Sequence, residues 1–405
     1  MSGGYLEVLR TAGALRVFVP ALVGRLSLAM VTLVLLFAVQ RSTDSFAIAG
    51  AAIGAFGLAN VIASPYRARF VDRRGQRFAL NSLAIAFAAG LSGIAALTAQ
   101  SGPPAGVLIG LAAVVGLFPP PLGASMRVLW GSITMPGALR TKAYSVDAVC
   151  EELLFTTGPL IAAAIVGAAS PTIGLLATAL VAVVGTLGMT SSSLSRGRVA
   201  VAASPRKRSR PLRQKGFIPV LIALLGVGVV LGTVEVVAPA VADTHGSVGL
   251  AGILLASFAA GSAVGGLLYG LRSWRSSLVN RLIILGTVMT VLCALQTTIG
   301  SFAVLGFGLA AVGFFLAPSL VTGYLLADDL TAAEVRTEAS SWINTAVNAG
   351  AAVAAAIVGF AVDAVEPRLG FIIGAGMALT LVVAASVPLL RNSRPAAVAD
   401  PVQSE

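Results

Sequence analysis

Ala68-Arg69-Phe70-Val71-Asp72-Arg73-Arg74-Gly75-Gln76-Arg77 is a dense run of charge in a chain that has little elsewhere. It lies between two long apolar segments, 45–64 and 78–98, so the chain leaves an apolar phase here and re-enters it at once. Arg67, Arg69, Arg73, Arg74 and Arg77 stand against one acid, Asp72. A basic loop between two apolar spans marks the side of a membrane that retains positive charge.

The rest of the chain fits that reading. Of 405 residues, 57% are hydrophobic and 11% charged, and the mean hydropathy is +0.94. A soluble domain carries about a quarter of its residues as Asp, Glu, Lys or Arg, so this sequence has too little charge to cover a soluble surface. Apolar runs of about 20 residues, each long enough to cross a hydrocarbon core, recur throughout. The expected fold is an all-α polytopic membrane protein with twelve transmembrane helices, at 17–39, 45–64, 78–98, 105–125, 143–168, 171–190, 217–241, 248–271, 278–299, 301–327, 340–362 and 370–390. Pro119-Pro120-Pro121 should break or kink the fourth, because proline removes helix donors. Cys150 and Cys293 fall inside apolar runs and show no disulfide or metal spacing. No cofactor and no metal site is expected.

The net charge of +11 reads as a topology signal, with no nucleic-acid partner implied. Basic residues cluster on alternate loops: Arg10 and Arg16 before the first span, the Ala68–Arg77 loop, Arg127, Arg140 and Lys142 after the fourth, Arg272, Arg275 and Arg281 after the eighth, and Arg391 and Arg394 after the twelfth. The opposite side has only Arg41 and Arg368. Both termini are therefore expected in the cytoplasm, with the protein a monomer in the lipid bilayer of the cell membrane. The Ser-, Arg- and Pro-rich connector 191–216 is expected to be a mobile basic linker. It separates a first six-helix half, 1–190, from a second, 217–392, and a cytoplasmic tail, 393–405, follows.

The halves are related in sequence. A shift of 202 residues aligns Phe46–Phe56 with 248–258, pairing Gly50 with Gly252 and Phe56 with Phe258. A shift of 192 residues matches Ala162-Ala163-Ala164-Ile165-Val166-Gly167 to Ala354-Ala355-Ala356-Ile357-Val358-Gly359 without a mismatch, and pairs Gly158 with Gly350. Two facing repeats are a transporter architecture, with the solute near the midplane.

These residues resemble the major facilitator superfamily over essentially the whole chain. Asp72, Arg73, Gly75 and Arg77 match its signature between spans two and three, with Ala68 where glycine is usual and Gln76 where a second basic residue is usual. Gly158-Pro159 in span five resembles the Gly-Pro core of the signature of that family's drug and metabolite antiporters, although Ala162 replaces a glycine and 105–125 lacks their arginine. The resemblance implies a secondary transporter. It also implies that the Asp72 loop is a cytoplasmic gate between the halves. On physical grounds Asp72 can pair with arginine and accept from helix N-terminal amides, and the amino end of span eleven near Ser340 is a candidate partner.

Ionisable groups inside a span are expensive and point to function. Arg25 lies within span one and either snorkels to an interface or is a fixed cation held by Glu151 or Glu152. Asp147 and Glu151 share one helical face, and Glu152 points about 100° away. These acids are candidate proton carriers, or partners that lock Arg25. Glu235, late in span seven, is a candidate cavity contact or a wetted interfacial acid. The repeat places Asn344 and Asn348 opposite Glu152 and Thr156, as candidate neutral cavity groups. No Walker motif, nucleophile–base pair or other enzyme signature appears. The reading is proton-coupled efflux of a small amphipathic molecule. An importer of a sugar or metabolite and a non-transporting receptor are the alternatives.

Overall fold

A computed structural model describes residues 5–100, 103–196, 210–243, 248–364 and 366–392. The middle of the connector, the C-terminal tail and the single histidine, His245, lie outside the described residues. Apolar runs without β-branched dominance fold here as helices joined by short turns. Several begin where a serine caps the first amides: Ser45 accepts from Ile48 N–H at 3.3 Å, Ser170 from Ile173 at 3.2 Å and Ser277 from Asn280 at 3.2 Å.

The first half comprises α1 (Tyr5–Arg10), α2 (Ala14–Thr43), α3 (Phe46–Arg74), α4 (Gln76–Thr98), α5 (Ala105–Gly116), α6 (Leu122–Ile133), α7 (Ala138–Ala168), α8 (Pro171–Ser191) and α9 (Ser193–Arg196). The second comprises α10 (Phe217–Asp243), α11 (Val248–Leu271), α12 (Leu278–Leu295), α13 (Phe302–Gly313), α14 (Leu316–Leu330), α15 (Arg336–Ala364) and α16 (Leu369–Asn392). Eleven stretches are long and apolar enough to cross a bilayer, and the α5–α6 pair makes the twelfth crossing. No strand occurs among the described residues.

The fourth crossing is two helices, parted at Pro119–Pro121. In a continuous helix the nitrogen of residue 120 would serve the Gly116 carbonyl, and proline has no N–H to offer. Arg67 of α3 supplies the missing donor: its Nη1 reaches Gly116 O at 2.9 Å, while Nη2 holds Asn60 Oδ1 at 2.8 Å. Arg67 is buried. It is therefore a staple across the break as well as a basic-side residue. The helix resumes at Leu122 and runs to Ile133, so the fourth crossing extends past 125. Arg127, expected in the following loop, lies inside it.

The tenth crossing breaks at the matching place, between α13 and α14. The repeat is visible in packing. Gly116, ending α5, lies against the Phe56 carbonyl of α3, and Gly313, ending α13, lies against the Phe258 carbonyl of α11. Gly158 of α7 packs on Ala29 of α2, and Gly350 of α15 packs on Leu225 and Val229 of α10. A side chain at any of these glycines would force the two helices apart.

The run that opened the sequence is helical on both sides of one residue. Gly75, with φ +84°, alone separates α3 from α4, a conformation that suits glycine. At this end of the molecule α6, α7, α14 and α15 are enclosed on nearly every face. At the other end, which only α7 and α15 of these four reach, they are not. Phe155, Thr156 and Thr157 of α7 are all exposed in succession, and at about 100° per residue this uncovers some 200° of helix, more than a single lipid face. The cores agree. One apolar cluster joins both halves through Trp130, Tyr144, Leu224, Tyr324 and Ile343, whereas the far end of the first half has its own cluster around Met30, Phe56, Phe87 and Leu175. The halves meet at the Asp72 end and part at the opposite end.

Candidate functional site

The closed end is fastened across the halves by named groups. Asp72 Oδ2 accepts from the backbone N–H of Glu338, in the first turn of α15, at 3.0 Å. As one of the first four amides of α15 it has no intrahelical partner, and the helix dipole favours a carboxylate there. Arg69 forks onto the Glu338 carboxylate through Nε, at 2.9 Å, and Nη2. Arg73, Arg74 and Arg77 are exposed. Gln76 is buried, donating to Ser125 O at 3.1 Å and accepting from Ser195 at 3.2 Å, so its neutral side chain stitches α4 to α6 and α9.

A second tie crosses nearby. Tyr144 Oη of α7 donates to Asp328 of α14, which also lies 3.8 Å from Arg140 Nη1 and 3.7 Å from Arg336 Nε. At the amino terminus, Tyr5 Oη donates to Leu267 O of α11, and burial pushes that phenol up to about 12. The stretch Gly270-Leu271-Arg272-Ser273-Trp274-Arg275, which stands after α11 where the Asp72 run stands at the end of α3, has no carboxylate to make the symmetric contact. Asp328 supplies one from another helix.

Above this seal, at the floor of the open space, lie four charges from three helices. Arg25 Nη2 holds Asp147 Oδ1 at 2.9 Å. Arg127 Nε lies 3.2 Å from Asp147 Oδ2, and its Nη2 donates to Glu151. Asp147 is fully buried, Arg25 and Arg127 nearly so, and Glu151 is 25% exposed. Tyr324 of the second half lies flat under Arg127, with its ring centroid 3.7 Å from the guanidinium carbon, and donates its hydroxyl to Asn344. The cluster thus belongs to the first half and rests on the second.

Arg25 pairs with Asp147, not with Glu151 or Glu152. Arg127 escaped the sequence reading because the expected fourth span ends at 125, two residues short of it. A charge count was the available signal: Asp147 and Glu151 share one face and need two cations, and span one offers only Arg25. Tyr324 left no such signal, since an aromatic ring in an apolar helix looks like core.

Two acids stand apart from the cluster. Glu152 is partly buried beside Ser262 of α11, and Glu235 of α10 lies within electrostatic range of it. Neither forms an ion pair among the described residues. Glu235 is exposed between buried neighbours, Val234 and Val237, so it faces the open space between the halves. Asn348 is exposed too, one turn beyond Asn344. Among the described residues no three His, Cys, Asp or Glu are placed to hold a metal ion.

Comparison with known proteins follows this geometry. The sequence profile of the Major Facilitator Superfamily matches residues 220–404, the second half. No curated protein matches the sequence significantly. Among solved structures, the human organic anion transporter MFSD10 (TETRAN) superposes with a TM-score of 0.71 over 92% of this chain and 99% of that one, at 16% identity. A bacterial homologue of the iron transporter ferroportin, in an outward-facing state with soaked iron, gives 0.68 over 94% and 99%, also at 16% identity. The same homologue in its outward-facing state gives the same values. The chain is a multi-pass membrane protein with twelve crossings in two related halves, and its fold is that of the major facilitator superfamily.

Proposed function

We propose that the protein is a secondary transporter that works by alternating access, and that it exports a small amphipathic solute in exchange for protons. One observation carries this reading: the two halves share a sealed end and an open end, with ionisable groups gathered between them. The basic loops put the cytoplasm at the Asp72 end, so the described state faces outward. Opening the other way requires the Asp72–Glu338, Arg69–Glu338 and Asp328–Tyr144 contacts to break together. Their combined strength biases the equilibrium between the two states.

Glu152 is the leading proton carrier. Among the described residues it has no basic partner and lies near Glu235, whereas Asp147 and Glu151 are committed to arginines. Export is supported by Gly158-Pro159, whose glycine brings α7 against α2. The solved structures of similar fold are an organic anion transporter and a bacterial homologue of the iron transporter ferroportin, so the shared fold does not select the solute.

The test is a solute screen in proteoliposomes with an imposed pH gradient and known protein orientation. The reading expects at least one solute to leave the face bearing Asp72, and to do so faster when protons are driven the opposite way. Flux towards that face, driven by proton movement in the same direction, would favour the importer. No flux of any solute or of protons under any gradient would favour a receptor.

A further inference from the structure

The charged floor has more donors than its own acids use. Arg25 Nη2 serves Asp147 and, at 3.3 Å, the Gly123 carbonyl. Arg127 Nη2 donates to Glu151, and Nε lies 3.2 Å from Asp147 Oδ2 as an ion pair, an oxygen that itself accepts no hydrogen bond among the described residues. Arg25 Nε, Arg25 Nη1 and Arg127 Nη1 are buried and donate no hydrogen bond among the described residues. Their side chains are 7% and 1% exposed. A buried donor without an acceptor keeps its full desolvation penalty, so such atoms call for an explanation.

Two of these donors, Arg25 Nε and Arg127 Nη1, border one point. A Cβ built on Gly123 would lie 3.6 Å from Arg25 Nε, 3.6 Å from Arg127 Nη1 and 3.3 Å from Glu151 Oε1. Gly123 is in the first turn of α6, where the Leu122 and Ser125 amides bond to the Pro120 and Pro121 carbonyls at 2.8 and 3.0 Å and the helix starts afresh after the prolines. That terminus carries the positive end of the α6 dipole. Discontinuous membrane helices receive anionic groups at such half-helix termini. Two guanidiniums, a helix terminus in mid-span and a position without a side chain thus converge.

We infer that this point receives an anionic oxygen, of the carboxylate or phosphate type, carried by the solute. The inference rests on the transport reading for the word solute, and on the geometry alone for the anion. Glu151 is the internal carboxylate that the incoming anion displaces. It is the most exposed of the four charges, it holds Arg127 through one oxygen, and its other oxygen already borders the point. Asp147 stays, fully buried between both arginines. Swinging Glu151 into the open space leaves one positive charge uncompensated, and the anion restores the balance. The Tyr324 ring closes the far side of Arg127.

The test is equilibrium binding to the full chain in nanodiscs. Benzoate and inorganic phosphate are the anion probes, and benzamide is the uncharged match in shape for benzoate. Wild type should bind at least one anion probe and discriminate against benzamide. Gly123→Ala fills the point without changing any charge and should weaken anion binding at least tenfold. Glu151→Gln removes the competing carboxylate and should strengthen it about fivefold or more. Should Gly123→Ala fail to fold, the isosteric Glu151→Gln decides, because a purely structural role for Glu151 predicts no gain. Binding of benzoate alone points to an organic carboxylate, and binding of phosphate alone to a phosphorylated solute or the free ion. Equal binding of benzamide, no binding of either anion, or no gain in Glu151→Gln would overturn the inference. Anion binding without any flux would remove the transporter reading and leave the site; flux without anion binding would do the reverse.

Discussion

Glu152 and Glu151 are neighbours in sequence and opposites in circumstance. A rotation of about 100° sends Glu151 to Arg127 and Glu152 to the space shared with Ser262 and Glu235. A carboxylate fixed by an arginine is a poor proton carrier, since its charge is already compensated; an unpaired one in a low-dielectric site can take up and release a proton as the site opens and closes. Glu152→Gln should therefore abolish acceleration by a pH gradient while solute exchange without a gradient continues. Exchange assays in proteoliposomes measure both, and an unchanged response to the gradient would remove Glu152 from the coupling. The cluster itself was half legible. Arg25, Asp147 and Glu151 stand out as charges in apolar runs, but their pairing depends on Arg127. That residue lies two positions past the expected end of the fourth span at 125, where it reads as a loop residue.

At the scale of elements, the broken fourth crossing is the feature that positions the site. The prolines were readable in sequence because their effect is local: they lack the donor that a helix needs. What satisfies the interrupted backbone was not readable, because Arg67 is distant in sequence and doubles as a basic-side residue. Its bond to Gly116 O fixes the end of α5 to α3, and so the angle from which α6 departs with Arg127 and Gly123. Arg67→Met should leave that carbonyl unsatisfied in an apolar setting, at a cost of about 1–3 kcal/mol. Thermal unfolding in detergent should show the loss, and an unaltered midpoint would contradict the staple. The repeat was readable for a similar reason. Gly158 and Gly350 mark close helix approaches, and glycine is the residue such approaches need.

At the scale of the whole molecule, sequence periodicity and charge alternation indicate twelve crossings and two halves, but not the state in which they are held. That depends on contacts between residues hundreds of positions apart. Asp72 meets Glu338, Tyr144 meets Asp328, and Tyr5 meets Leu267. Asp72→Asn keeps a weaker acceptor and loses the charge, which should cost the sealed state about 1 kcal/mol and shift the equilibrium roughly fivefold. Turnover should change while solute affinity in equilibrium binding stays near wild type. Loss of binding in a folded variant would contradict a gate role.

Alternating access makes a direct demand on the same seam: α3 and α15 must separate at the Asp72 end in every cycle. With Cys150 and Cys293 replaced by alanine, Arg69→Cys and Glu338→Cys place one thiol on each helix for a reducible bifunctional thiol crosslinker. Solute flux in proteoliposomes should stop when the bridge is complete and return when it is reduced, while the crosslinker leaves the rate of each single-cysteine variant, whatever that rate is, unchanged. Undiminished flux through the fully bridged protein would contradict the account.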